Sequence, residues 1–349
     1  MMKKPLIGLT LEQLRDITDA IGLRPFAAKQ IASWLYVKRV KSIDMMTDLP
    51  LAARSRLAQD YCIGLYPPKD AATSVDGTVK YLFDGVGGRD IESVYIPDGQ
   101  RATLCVSSQA GCKMNCHFCM TGRQGFNGNL STNAIINQVL SIPNSHSLTN
   151  IVFMGMGEPL DNLSSVLSAI EILTAPWGMA WSPKRITVSS IGKIKELRSL
   201  LDLTKVQIAI SLHNPFPAER AQIMPVERAF PIRDVIALLA NYDFSHQRRL
   251  SFEYIMWKGV NDSQRYADAL VKLIARLDCR VNLIRFHAIP GSDLLPSPTA
   301  AMERFRDSLN DHGITATIRA SRGEDIMAAC GMLAGKASSL PASPDTISQ

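Results

Sequence analysis

Hydrophobic residues near the start of the chain recur at the spacing of an amphipathic helix. Four of them fall on one face of such a helix: Leu11, Leu14, Ile17 and Ile21. Thr10 and Gln13 have the spacing of a capping box, and Gly22 stands where a helix C-cap is expected. A second helix is predicted from about residue 26 to residue 40, so we expect residues 1–66 to form a small helical domain.

After the Pro67-Pro68 pair the pattern changes to short runs in which apolar and polar residues alternate. This alternation predicts β-strands, separated by Asp-Gly and Gly-Gly turns, at residues 79–83, 91–96 and 103–107. Residues 67–100 are therefore expected to form a linker and a β-hairpin connector.

From residue 101 onward a predicted strand is followed repeatedly by a predicted helix. The strands are expected at 103–107, 150–154, 185–189, 206–211, 251–256 and 281–286. Such units imply a parallel sheet, and six of them predict an α/β fold, a partial (β/α)6 barrel over residues 101–335. Functional residues are then expected at the carboxyl ends of the strands. A last strand is predicted at 314–318, and the tail at 336–349 is expected to be disordered.

Composition and charge add a class of partner to this outline. The chain has 349 residues, 46% of them hydrophobic, and no apolar run long enough for a signal peptide or a membrane span, so we expect a cytoplasmic protein. Residues 1–66 hold ten Lys and Arg against six Asp and Glu, most of the net charge of +6. Residues 24–41 combine five basic residues with three aromatic ones. This segment suits RNA contact, although a solvated basic helix face is an equally open interpretation.

Cysteine spacing points to a metal site. Three of the seven cysteines, Cys112, Cys116 and Cys119, form a C-x3-C-x2-C loop directly after the strand predicted at 103–107. Three thiolates in one loop can hold three corners of an iron–sulfur cubane and leave the fourth iron open. A structural zinc site remains an alternative, with Cys105 or His117 as the fourth ligand.

The cysteine loop, with Phe118 before its last cysteine, resembles the radical S-adenosylmethionine (SAM) superfamily. Further motifs resemble one branch of it, the dual-specificity adenine-C2 methyltransferases of large-subunit rRNA and tRNA. They lie at residues 105–112, 121–127, 153–159, 211–213, 259–263 and 322–331. The resemblance extends from about residue 9 to residue 335.

This resemblance implies cofactors and the residues that bind them. Cys112, Cys116 and Cys119 would hold one 4Fe–4S cluster, whose open iron SAM would chelate, and two SAM molecules would be used per turnover. The family's SAM-binding positions match Gly157, Glu158, Ser189, Ser211, Leu212, His213 and His287. On residue type alone, His213 is typical of a hydrogen-bonded core histidine.

The resemblance also implies a catalytic set. Cys330 would carry the methyl group as S-methylcysteine, and Cys105 would be a resolving cysteine that forms a transient disulfide with it. Glu92 would be the proton acceptor, although a carboxylate on such a strand is more often a surface group. Cys62 and Cys279 match no motif and are interpreted as structural.

The sequence departs from the family pattern at three positions. His287 stands where the family usually has Asn, Met332 replaces a common Gln, and Arg285 replaces a common Pro. Because His can also donate or accept a hydrogen bond, the predicted SAM contact at residue 287 is retained as an expectation.

These observations predict a radical SAM methyltransferase that modifies carbon 2 of an adenosine in 23S rRNA and in tRNA. Expected partners are the RNA and an electron donor such as flavodoxin or ferredoxin, and the family suggests a monomer. One alternative is the sister branch that methylates carbon 8 and confers antibiotic resistance. Another is a non-enzymatic RNA-binding protein with a structural metal site.

Overall fold

The chain begins with a small helical module in the computed structural model, which describes residues 3–245 and 248–335. The module comprises β1 (Lys4–Pro5), α1 (Leu11–Ala20), α2 (Ala27–Ala32), α3 (Leu51–Asp60) and β2 (Tyr61–Cys62). The predicted capping box is confirmed: Gln13 N donates to Thr10 Oγ1, and Thr10 N donates to Gln13 Oε1. The second predicted helix is confirmed from Ala27, continues as a π-helical turn, and ends at Val37 rather than near residue 40.

One open sheet dominates the rest of the described chain. It has ten strands in the order β14-β13-β12-β11-β10-β9-β6-β5-β4-β3. The strands are β3 (Asp70–Thr73), β4 (Val79–Val86), β5 (Arg89–Asp98), β6 (Arg101–Cys105), β9 (Asn150–Phe153), β10 (Ile186–Ser190), β11 (Gln207–Ser211), β12 (Leu250–Met256), β13 (Arg280–Arg285) and β14 (Thr315–Ile318). A separate hairpin is formed by β7 (Gln109–Gly111) and β8 (Phe126–Asn129).

From β6 to β14 the sheet is parallel, and helices connect successive strands. These helices are α5 (Thr132–Leu140), α6 (Leu163–Thr174), α7 (Ile194–Leu203), α8 (Pro217–Ile223), α9 (Ile232–Leu239), α10 (Gln264–Ile274) and α11 (Thr299–Asp311), while α4 (Met120–Arg123) belongs to the cysteine loop. The predicted α/β partial barrel is confirmed. The strand expected at 314–318 adds a further parallel edge, and the tail at 336–349 lies outside the described residues.

The parallel strands present an apolar face and a polar face. Alternate residues such as Val188, Ile210 and Phe252 are fully buried in the main core. On the opposite face Ser211, Glu253, Asn282 and Thr317 are register neighbours on successive strands. Asn282 Nδ2 donates to Glu253 Oε1 at 2.7 Å, and Thr317 Oγ1 lies 3.2 Å from Asn282 Oδ1. Polar groups therefore line the inner face of the barrel near the carboxyl ends of the strands.

The predicted connector belongs to the same sheet. Strands β3, β4 and β5 continue it antiparallel from β6, so they form one edge of the sheet while β14 forms the other. None of the described helices is both long enough and apolar enough to cross a lipid bilayer.

Helix α5 holds the N-terminal module against the barrel. Asn133 Nδ2 donates to the carbonyl oxygens of Ile7 and Gly64, both at 2.9 Å. Asn137 Oδ1 accepts from Tyr66 N at 2.7 Å, and its Nδ2 donates to Tyr66 O at 2.9 Å. Two side-chain amides thus take the place of backbone partners along the segment that joins the module to the sheet.

We expect Asn137→Ala to lower the free energy of unfolding by about 1–3 kcal/mol, because both polar backbone groups of Tyr66 lose their partner. Denaturant unfolding measures the change. Asn144→Ala, at an exposed loop position, is the matched control and should change stability by less than about 0.5 kcal/mol. Equal losses in the two variants would contradict this role of Asn137.

Candidate active site

The three cysteines of the C-x3-C-x2-C loop are held beneath the surface. Cys112 follows β7, Cys119 precedes α4, and Cys116 lies between them, with Cys112 and Cys116 each 8% exposed. Burial raises the pKa of all three thiols, that of Cys112 to about 12. In the absence of a bound cation these groups are therefore neutral at physiological pH.

A separate hydrophobic cluster surrounds the cysteine loop. It joins Cys116 and Phe118 to side chains from the ends of the strands and from the carboxyl-terminal segment, namely Ile191, Ile223, Met224, Val226, Ile255, Trp257, Phe286, Ile289, Ala329 and Met332. Met332, one of the departures from the family pattern, is 7% exposed and packs here as an apolar residue. A dry, apolar surrounding of this kind controls solvent access to a metal centre.

The donor set and its surroundings fit an iron–sulfur cluster. Among residues 3–245 and 248–335, no three His, Cys, Asp or Glu side chains converge on one metal position, as the ligands of a zinc ion do. In a cubane each thiolate binds a different iron, so the ligands need not converge on a single point. The thiols of Cys112, Cys116 and Cys119, the first two buried and the third half-buried, can each bind a separate iron. Bound iron would compensate the charge of the thiolates.

The Cys330 segment (residues 319–335) runs between the two edges of the open sheet. It leaves β14 with Arg319 N donating to Leu283 O at 2.8 Å. Farther along, Met120 N donates to Gly331 O at 2.8 Å, and Thr121 Oγ1 donates to Leu333 O at 2.6 Å. The segment therefore packs directly on the cysteine loop.

The connector strands hold the same segment from the other side. Asp76 Oδ2 accepts from Gly323 N at 3.0 Å, and Asp325 accepts from Ser74 Oγ at 2.6 Å and from Val75 N at 3.2 Å. Burial opposes ionisation of Asp76, but hydrogen bonds from Thr78, Gly323 and Ser74 outweigh it and lower the pKa of Asp76 to about 2. Gly323 is therefore held by an ionised Asp76 carboxylate at any physiological pH.

The structure brings the three predicted catalytic residues to one region. Burial, and then the nearby Cys330 thiol, raise the pKa of Cys105, which ends β6. Cys330 is exposed, yet the surrounding protein and Glu253 raise the pKa of its thiol as well. Glu92 is 5% exposed rather than a surface group: its Oε2 accepts from Ala334 N at 2.9 Å and Gly335 N at 3.1 Å, and its Oε1 lies 3.2 Å from Lys80 Nζ.

The predicted SAM contacts at the end of β11 are rigidly supported. His213 adopts a left-handed backbone conformation (φ 58°), which Asn261 stabilises by donating to its carbonyl at 2.7 Å. His213 Nδ1 accepts from Ile255 N at 3.0 Å, and its ring packs edge-on against Phe118 at 4.8 Å. Burial and the charge of Arg220 lower the pKa of His213 to about 3, so the ring is neutral with its proton on Nε2.

The Gly-Glu loop after β9 is shaped by its own neighbours. A Cβ at Gly157 (φ +98°) would lie 2.4 Å from Gln109 Cβ, and one at Gly155 would lie 2.7 Å from Ser107 Oγ. The glycines are therefore required by packing within the protein. Burial raises the pKa of Glu158 to about 7 although Ser190 Oγ donates to its carboxylate at 2.6 Å.

Ser189 and Ser190 separate on the two faces of β10. Ser189 is level with Ala209 in the register and shares the polar face with Ser211, whereas Ser190 points to the other face and bonds Glu158.

Two residues that depart from the family pattern make contacts within the protein. Arg285 donates to Ser297 O and Thr299 Oγ1. His287 contacts Ser321 and Glu324 of the Cys330 segment.

Several supporting residues were missed by the sequence interpretation. Arg220 is fully buried, donates to the carbonyl oxygens of Ser211 and Leu212, and pairs with Glu227. The backbone carbonyl of Glu253, on β12, accepts a hydrogen bond from Leu212 N at 3.0 Å. Arg220 and Glu227 are spaced by seven residues on separate short helices, a pattern that carries no sequence signal of its own.

Comparison with known proteins identifies the family. A model described as "Ribosomal RNA large subunit methyltransferase N-terminal domain" matches residues 4–63, and one described as "Radical SAM superfamily" matches residues 106–270. A protein of Bacteroides fragilis named "Probable dual-specificity RNA methyltransferase RlmN" is 59% identical over 333 residues, 95% of this chain and 97% of the relative. The chain belongs to the RlmN family of dual-specificity RNA methyltransferases.

Two more distant relatives support this assignment. The protein named "Dual-specificity RNA methyltransferase RlmN" from Alkalilimnicola ehrlichii is 40% identical, covering 95% of this chain and 94% of its own. The crystal structure of a radical SAM methyltransferase from Sphaerobacter thermophilus superposes with a TM-score of 0.88 at 37% identity, covering 95% of this chain and 99% of that one. The chain is thus a radical SAM enzyme that acts on RNA with a 4Fe–4S cluster and SAM. A non-enzymatic RNA-binding protein is excluded.

We expect Asp76→Ala to release the Cys330 segment, because Gly323 N loses its acceptor. Limited digestion with trypsin, which cuts after Arg319 and Arg322, should be roughly tenfold faster at these sites than in the unaltered protein. Asp278→Ala, at an exposed site before β13, should leave the cleavage rate unchanged. Equal cleavage rates at Arg319 and Arg322 in all three proteins would show that the connector does not hold the segment.

Proposed function

We propose that this enzyme methylates carbon 2 of an adenosine in 23S rRNA and in tRNA, with Cys330 as the methyl carrier. The observation that carries the proposal is the placement of Cys330. The segment that bears it packs on the cysteine loop through Met120 and Thr121, and its thiol lies near Cys105. A carrier must reach both a methyl donor beside the cluster and a base at the barrel mouth, and this position suits both.

Cys112, Cys116 and Cys119 would hold the cluster, and the polar inner face beside it would receive SAM. When bound, the cluster supplies the electron that splits SAM into methionine and a 5′-deoxyadenosyl radical. Ser189 and Ser211 would contact SAM from this face, with Leu212 and His213 beyond them. Glu158, whose pKa burial raises to about 7, would become a full carboxylate beside the SAM ammonium group, since an adjacent positive charge favours ionisation.

Cys330 would first take a methyl group from one SAM onto its sulfur, which requires loss of the thiol proton because the thiolate is the nucleophile. A second SAM would supply the radical that removes a hydrogen from this methyl group, after which the carbon joins the adenine ring. Cys105 would then lose its thiol proton and bond to the Cys330 sulfur as the S–CH2 bond breaks, which leaves a disulfide. The freed CH2 group would take up a proton to become the methyl group of the product, and the surplus electron would return to the cluster. Glu92 would accept the proton from the ring, and its bonds to Ala334 and Gly335 would have to open first.

The basic helical module would hold the RNA. Lys38 Nζ lies 3.2 Å from the Trp34 ring centroid, and Phe26 is 54% exposed, so the module presents both cationic and aromatic groups. The target base would be flipped out of its stack to reach the barrel mouth. We further propose that the enzyme acts as a cytoplasmic monomer and receives electrons from a flavodoxin or ferredoxin.

Anaerobic purification should yield about four iron and four sulfide per chain. Cys116→Ala should lose most of both, because one corner of the cluster has no ligand. Cys279→Ala, at a half-buried cysteine far from the loop, is the control and should keep the full content. Stoichiometric zinc in place of iron would contradict the assignment of the loop.

Cys330→Ala should retain the cluster but make no detectable 2-methyladenosine. Digestion and mass spectrometry of rRNA and tRNA from a deletion strain complemented with each variant provide the measurement, with Cys62→Ala as the active control. Methylation at carbon 8, or full activity of Cys330→Ala, would overturn the proposed function.

A further inference from the structure

We propose that His287 is a positioning residue that anchors the Cys330 segment, and that it does not bind SAM in this chain. His287 lies two residues beyond β13 and only 6% of its side chain is exposed. Its Nε2 lies 3.0 Å from Ser321 Oγ, and its Nδ1 lies 3.1 Å from Glu324 Oε1. Both partners belong to the Cys330 segment.

These two contacts use the whole hydrogen-bonding capacity of the ring. A neutral imidazole has one N–H donor and one acceptor nitrogen. With the proton on Nδ1, the ring donates to the Glu324 carboxylate and accepts the Ser321 hydroxyl proton at Nε2. A contact with SAM through either nitrogen would require one of these bonds to break, so the ring in this position has no group left for the cofactor.

The position of His287 explains why an anchor is useful there. The Cys330 segment leaves the barrel after β14 and must return across the ends of the strands to reach the cysteine loop. Asp76 holds it on the connector side by accepting from Gly323 N, and Ser74 does so by donating to Asp325 of the segment. His287 holds residues 321 and 324 on the β13 side, so the short stretch before Cys330 is held from the β13 side as well as from the connector.

Met327 shows that this stretch is under constraint. It adopts a left-handed backbone conformation with φ 53°, which costs a non-glycine residue about 1 kcal/mol or more and persists only where neighbouring contacts enforce it. Lys80 Nζ approaches Met327 O at 3.4 Å, and Ala328 N donates to Gly323 O at 2.8 Å. These contacts on either side of Met327 enforce its conformation, and Cys330 follows three residues later.

The effect on turnover rests on the proposed role of Cys330, but the anchor itself can be tested independently. Hydrogen–deuterium exchange of peptides covering residues 319–331 in the reconstituted holoenzyme measures opening of the segment, and equilibrium dialysis measures SAM affinity. His287→Ala should accelerate exchange about tenfold, because two hydrogen bonds are lost. SAM affinity should stay within about twofold of the unaltered enzyme.

Partial replacements sharpen the test. In His287→Asn the amide nitrogen takes the place of Nδ1 and can keep the Glu324 bond, so exchange should rise less than in His287→Ala. In His287→Ala, a second substitution Glu324→Ala should add little, since its partner is already gone. His312→Asn, at an exposed histidine beside the opposite ends of the strands, should change neither quantity.

These outcomes distinguish a His287 that anchors the Cys330 segment from one that contacts SAM. A tenfold loss of SAM affinity in His287→Ala, with or without faster exchange, would overturn the proposal in favour of a cofactor contact. Unchanged exchange in that variant would also overturn it. Loss of methylation with faster exchange and intact SAM binding would support it, whereas an inactive Cys330→Ala alone bears only on the proposed function.

Discussion

The sheet of this enzyme is open, and the chain must bring its last segment back across the gap to complete the site. Strand β14 and strand β3 form the two edges, and no strand pairing within the described residues joins them. The Cys330 segment bridges them instead, through bonds to Asp76 and Ser74 on one side and to His287 on the other. The position of Cys330 therefore depends on polar contacts between residues about 250 positions apart in sequence, such as Asp76 and Gly323.

The cysteines of the site differ in exposure. The loop cysteines and Cys105 lie in apolar surroundings that raise the pKa of their thiols, and such thiols are inert until iron or a partner sulfur reacts with them. Cys330 is exposed, as the methyl carrier proposed for this position would need to be to meet both SAM and RNA. The hydrophobic cluster around Cys116 and Phe118 includes Ala329 and Met332, so the apolar surroundings of the cysteine loop and the base of the Cys330 segment are one packed unit.

Much of this arrangement could be predicted from the sequence because local patterns specify local structure. Alternation and helical periodicity located the parallel strands, and the spacing of Cys112, Cys116 and Cys119 located the loop. The contacts of the Cys330 segment could not be predicted in this way. Asp76, Asp325 and Ser321 lie in turns, where such residues are common for local reasons. Nothing in their spacing shows which distant residues they contact.

The same limit applies to Gly157, Glu158 and His213, which the resemblance implies as SAM-binding positions. Gly157 packs on Gln109, Glu158 accepts from Ser190, and Asn261 holds the backbone of His213. These residues first bind one another, and the catalytic geometry follows from that mutual support, as preorganisation of a site requires. A departure such as His287 is therefore best interpreted through its own contacts: it replaces an expected asparagine, but two bonds to the segment it faces give it a function that the motif alone does not reveal.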